Sequence, residues 1–231
     1  NAVLDLKTND TYNVINLESK QHNVDRLQTP SVARAMGKTE SETAPDGRRL
    51  RSERSRQAII DAALLLIEEG ILVPTAQQVS ERAEVGIRSV FRHFTDMESL
   101  FAIADSKIRD QYQGLFAGGN RDGSLQDRLL HAVEQRALAY EAIGNHLLST
   151  RGQLWRYSIL QEQYARAQRQ LRRDLEDWLP ELKDLGSEAR EMVDAVASFE
   201  HWNRLREHQA LTEASSIKLT TRLLEQIIIN D

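Results

Sequence analysis

The sequence predicts an all-α protein: a short three-helix unit near the N-terminus followed by a bundle of longer amphipathic helices. Composition comes first, because 231 residues hold only 11 Gly and 4 Pro while Ala, Leu, Glu, Gln and Arg are plentiful. Apolar residues also recur at helical spacing from about position 59 to the end. Finally, Thr and Asp stand at helix starts and Gly at helix ends, the residue types that satisfy free backbone groups there.

Residues 1–47 carry Pro30, Pro45 and many Asn, Ser and Thr without an apolar period, and are expected to form a disordered extension. The first methionine is Met36, so residues 1–35 read as either upstream translation or a genuine extension. From Gly47 the helical pattern is dense. Ile59, Ala62, Ala63, Leu66 and Ile67 share a helical face that should stop at Gly70. Thr75 and Gln78 form a capping box for a short helix through Ala83, with Val79 and Ala83 inward. A tight turn at Glu84-Val85-Gly86 leads to a second short helix, Ile87 to Phe94. Thr95 and Glu98 predict another capped helix through about Gln113, followed by a flexible glycine-rich link. Amphipathic segments are expected near 124–145, 153–178, 187–208 and 213–229, with breaks at Gly144, Gly152, Pro180 and Gly186 and a cap at Thr212. The domain reading is 48–101 for the small unit and 102–231 for the bundle.

Several function classes fall away. With 30 Lys+Arg against 35 Asp+Glu the net charge is −5, so any nucleic-acid binding must use a local basic surface. The absence of Cys excludes disulfides, thiolate metal sites and a Cys nucleophile, and fits a reducing compartment. The richest apolar stretch, Ile59 to Ile67, is interrupted by Asp61 and too short to span a bilayer, and no secretory signal precedes it. The expected location is the cytoplasm, with no membrane partner. Gly37-Lys38-Thr39 hints at a phosphate loop, but Val32 stands where the motif requires Gly. No His has Glu three positions before it, so a di-iron bundle is not encoded. An enzyme is not expected, and no cofactor or metal is called for.

The pair Thr75–Ala83 and Ile87–Phe94 fits a helix-turn-helix whose crossing is set by Val79, Ala83, Val85, Val90 and Phe94. The second helix offers Arg88, Ser89, Arg92 and His93 outward, chemistry suited to guanine acceptors and phosphates in a major groove. Upstream, Arg48, Arg49, Arg51, Arg54 and Arg56 face only Glu53, a local charge of +4. This run reads either as a solvated first turn of helix or as an arm reaching phosphate or minor groove.

The stretch over 50–101 resembles the N-terminal DNA-binding domain of the tetracycline-repressor (TetR/AcrR) family. The resemblance rests on Ala62-Ala63, Gly70, Thr75, Phe91-Arg92-His93-Phe94, Glu98 and Leu100. The end, Val193 to Thr212, is similar to the family's penultimate helix. Departures are Glu84 where Gly is usual in the turn, Phe91 for a customary tyrosine, and Met97 for a lysine. The resemblance implies phosphate contacts from Thr75, Gln77 and His93, with Ile87, Arg88, Ser89 and Arg92 at the groove and Arg88 at a base edge; Phe91 is among the DNA-binding positions but lacks the tyrosine hydroxyl that usually donates to phosphate. It also implies a homodimer through the last two helices, using Val196, Phe199, Trp202, Ile217, Leu224 and Ile228. A small-molecule effector pocket is implied in the middle helices, among Gln111, Tyr112, His131, Tyr140, Trp155, Tyr157 and Tyr164. The implied function is a sequence-specific regulator, a repressor released from a near-palindromic double-stranded operator by its effector. A rival reading is a helical protein-interaction module with degraded DNA binding, which Glu84, Phe91 and Met97 make conceivable.

Overall fold

The computed structural model describes residues 44–231, in which the regular elements are helices. The expected disorder and the Met36 start lie outside these residues up to position 43, but residues 44–47 form the first turn of a helix rather than part of a tail. That helix, α1 (Ala44–Glu68), buries Ile59, Ile60, Ala62, Ala63, Leu66 and Ile67. It ends where Gly70 takes φ +92, and the amide of Ile71 reaches back to the Leu66 carbonyl at 2.9 Å.

Helix α2 (Ala76–Arg82) starts on the expected box: the Gln78 amide donates to Thr75 Oγ1 at 3.2 Å and the Thr75 amide to Gln78 Oε1 at 2.9 Å. After the turn comes α3 (Ile87–His93), then α4 (Met97–Ala117). The cap of α4 is Asp96 with Ser99, one residue later than the expected Thr95 and Glu98. Gly114, expected in the flexible link, lies inside α4, which also spans the expected 101/102 domain boundary.

Helix α5 (Leu125–Gln153) runs unbroken through Gly144 and Gly152. A glycine inside a helix costs about 1 kcal/mol relative to alanine, and the burial of Ala139, Tyr140, Ile143, Ser149 and Thr150 around it outweighs that. The chain reverses only at 154–157 and continues as α6 (Ser158–Trp178) and a 3-10 turn at Pro180–Lys183. The segment expected over 187–208 is divided into α7 (Ser187–Val196) and α8 (Phe199–Asn203), which widens into a π turn at Arg204–His208. Ser198 makes the break, its hydroxyl oxygen accepting from the His201 amide at 3.2 Å to start α8 afresh. Thr212 caps α9 (Glu213–Asn230) as expected.

Two cores result. The head core joins Ile59, Ala63 and Leu66 of α1 to Val79, Val90, Phe94 and Leu100, with Ala83 and Val85 half-buried at its rim. The body core joins Leu129 and Val133 of α5 to Leu175, Trp178, Val193 and Leu224. Helix α1 packs against α2 and α3 and also against α4 and α5, so head and body share one scaffold.

Candidate nucleic-acid interface

Helix α3 has one face sealed and one face open. Val90 is 1% exposed and Phe94, just past the helix, 2%, anchoring it on α1 and α2. Outward stand Ile87 (40% exposed), Arg88, Phe91 (50% exposed) and Arg92. Ser89 is half-buried. The turn before α3 holds Glu84 at φ +53, the left-handed region that glycine enters without strain. Glu84 therefore occupies a backbone conformation unfavourable for a residue with a side chain.

His93 is half-buried and its Nε2 lacks a hydrogen-bond partner. Burial first, then the charges of Arg92 and Arg56, hold its imidazole below the ordinary value. Arg56 lies over the Phe94 ring at 5.4 Å, so this arginine belongs to the head's packing. Thr75 and Gln77 are exposed, but both have partners: the Thr75 hydroxyl serves the cap, and Gln77 Nε2 donates to Glu81 Oε1 at 2.5 Å. Arg82 makes a two-pronged pair with Glu69, at 2.7 and 2.5 Å, pinning α2 to the end of α1.

Arg48, Arg49, Arg51 and Arg54 are all exposed on the first turns of α1. Of the two forms expected for this run, the backbone is that of solvated helical turns.

The residues expected around an effector are dispersed. Trp155 is 81% exposed at the α5–α6 reversal, and Gln111 is also on the surface. Tyr112 lies in α4 with its side chain outside the described residues. Tyr140 is core, its hydroxyl donating to the Ala197 carbonyl at 2.9 Å and its ring meeting Phe116 and Phe199 edge-on. Tyr157 packs on Phe101, and Tyr164 donates to Glu200 at 2.6 Å, which also pairs with Arg151. His131 is half-buried with Nδ1 unpartnered. None of the seven lines the cavity between α1, α4, α5 and α6, which measures about 20 Å³, room for about one water. Asp105, His146, Thr150 and Gln153 line it instead. Sequence reasoning placed none of this group at a pocket, because polar residues on two separate helices carry no local signal.

Four of the expected dimer residues are likewise internal. Phe199, Trp202, Leu224 and Ile228 are buried within the chain, and Val196 and Ile217 are half-buried against the same core. Trp202 even spends its Nε1 on Glu141, at 2.9 Å. The apolar side chains left partly open nearby are Met192 on α7 and Leu219, Leu223 and Ile229 on α9.

Taken together, the head is a helix-turn-helix with a solvent-facing second helix, carried on an all-helical body. That fold is shared with solved transcriptional regulators. A transcriptional regulator from Rhodococcus sp. Rha1 superposes with a TM-score of 0.59 at 18% identity, over 78% of this chain and 96% of that one. A candidate regulator from Streptomyces coelicolor A3(2) gives 0.52 at 21% identity, over 74% and 98%. A candidate TetR-family regulator from Mesorhizobium loti MAFF303099 gives 0.52 at 15% identity, over 78% and 97%. At these identities the likeness establishes the fold. No family model matches the sequence, and no curated protein is similar to it at that level. Among the described residues no helix is long and apolar enough to cross a membrane, and no cluster of His, Asp and Glu could hold a metal.

Proposed function

We propose that this protein is a sequence-specific, DNA-binding transcriptional regulator of TetR type, acting as a repressor and not as an enzyme. The observation that carries the reading is α3: a two-turn helix sealed by Val90 and Phe94, with Ile87, Arg88, Phe91 and Arg92 outside. Such a helix fits a major groove, with Arg88 able to address guanine and Arg92 a phosphate or base. The arginines on the first turns of α1 lie on the same unit and supply phosphate contacts.

Two copies would pair through α7 and α9, using the open apolar side chains rather than those already in the core. Two recognition helices would then address half-sites about one DNA turn apart in a near-palindromic operator. A small-molecule effector would relieve repression by binding the body better in the DNA-free arrangement. The cavities described in the body, of about 10 to 20 Å³, have room for about a water at most, so this requires a pocket that opens as the ligand enters.

Selection of bound duplexes from a random pool tests the reading. A near-palindromic product, with dimer mass in light scattering, supports it. A chain that enriches no sequence, or binds random duplex without steep salt dependence, is a protein-interaction module instead.

A further inference from the structure

The open face of α3 is divided lengthwise. Arg88 and Arg92, four residues apart, form a basic column, and Ile87 and Phe91, also four apart, form an apolar column beside it. The basic column has obvious partners in any duplex. The apolar column does not: Ile87 is 40% and Phe91 50% exposed, on a helix whose other side is already buried in the head. Neither phosphates nor the donor and acceptor edges of bases reward two large hydrocarbon side chains. The one apolar group that a major groove offers is the C5-methyl of thymine.

We propose that Ile87 and Phe91 are specificity residues that read thymine methyl groups, so that each operator half-site carries thymine beside the base addressed by Arg88. The inference rests on the reading of α3 as the recognition helix. A phenylalanine suits this role, because its ring brings apolar area with no hydroxyl to satisfy. Its neighbour Arg92 keeps the ring at groove depth by holding the backbone alongside. Thymine is thus selected by removal of apolar surface from water on both partners, while Arg88 supplies hydrogen-bonded readout.

The experiment uses the full chain and the duplex that it enriches from a random pool. Each thymine of a half-site is replaced singly by deoxyuridine, which deletes only the methyl group. Titrations then follow the native protein, Ile87→Ala and Phe91→Ala. Burying one methyl predicts about a fourfold loss at one or two positions for the native chain. In the variant lacking the contacting side chain that loss should shrink below about 1.5-fold, the signature of direct coupling. Both side chains are exposed, so circular dichroism and melting temperature of the variants should match the parent. Equal affinity for thymine and uracil duplexes, or an undiminished loss in both variants, overturns the inference and leaves DNA binding standing. If no sequence is enriched at all, the regulatory reading itself fails.

Discussion

The hydroxyl of Thr150 on α5 donates a 2.7 Å hydrogen bond to the carboxylate of Asp105 on α4, the helix that leaves the helix-turn-helix head and enters the body. Arg109, one turn further along α4, holds the same carboxylate at 2.7 Å through Nε. Thr150→Val keeps the shape and removes the donor, and should cost about 1 kcal/mol in urea unfolding because Arg109 still serves Asp105. Arg109→Met alone should cost a similar amount. Both together should exceed the sum, since the Asp105 side chain, 10% exposed, would then have lost both of these partners.

Glu84 is predicted to be a strained residue. Left-handed backbone costs a non-glycine residue roughly 1–2 kcal/mol, while glycine returns part of that as unfolded-chain entropy. Glu84→Gly, at φ +53, should therefore stabilise the protein by about 0.5–1 kcal/mol. A lower urea midpoint in the variant would contradict this.

His93, His146 and His201 are all held below the ordinary imidazole value, in each case chiefly by burial. A depressed folded-state value means that the unfolded chain takes up the proton first. Stability should thus be complete above about pH 6.5 and fall as the pH drops below it. Replacing any of the three by Gln should flatten the slope of melting temperature between pH 7 and pH 5. DNA distinguishes His93: if its imidazole meets phosphate, affinity should rise over the same interval, and His93→Gln should abolish the rise.

Gly119 and Gly70 make a matched pair. Both have positive φ, +100 and +92, but a Cβ at Gly119 would lie 2.8 Å from Trp178 Cη2, whereas one at Gly70 would meet open space. Gly70→Ala should cost the backbone strain alone, about 1 kcal/mol. Gly119→Ala must also displace a tryptophan that is 1% exposed, and should lose about 2–3 kcal/mol in calorimetry.

Arginines of the two surfaces should separate by kind. Arg51→Ala should weaken binding to every duplex and reduce the salt slope by about one. Arg88→Ala should cost about 1–3 kcal/mol on the selected duplex and relax preference at one base pair.

Much of the head was legible in sequence because its determinants are local. Thr75 and Gln78 lie three residues apart and Gly70 ends its own helix, and in the body Thr212 likewise caps the turn that follows it. The periodic apolar residues of α1 fall where the core needs them. Arg88 and Arg92 followed from the same periodicity, but Ser89 and His93, expected outward with them, are half-buried against the head. Errors arose where a local signal met a distant competitor. Gly144 resembled a stop, yet long-range packing along α5 carried the helix through it. Ser198 resembled an interior residue of one long helix, yet it caps a new one.

The amino-acid order alone thus determined that the chain is helical, where α2 starts, and that Arg88 and Arg92 of α3 face outward, because these depend on contacts within one or two turns. Tertiary structure decided that Phe199, Trp202, Leu224 and Ile228 fill this chain's own core and that Tyr140 is a packed residue. It also brought Asp105 and Thr150 together across two helices. An apolar stripe specifies only that a face must leave water, and which surface covers it is settled by the arrangement of all the helices at once.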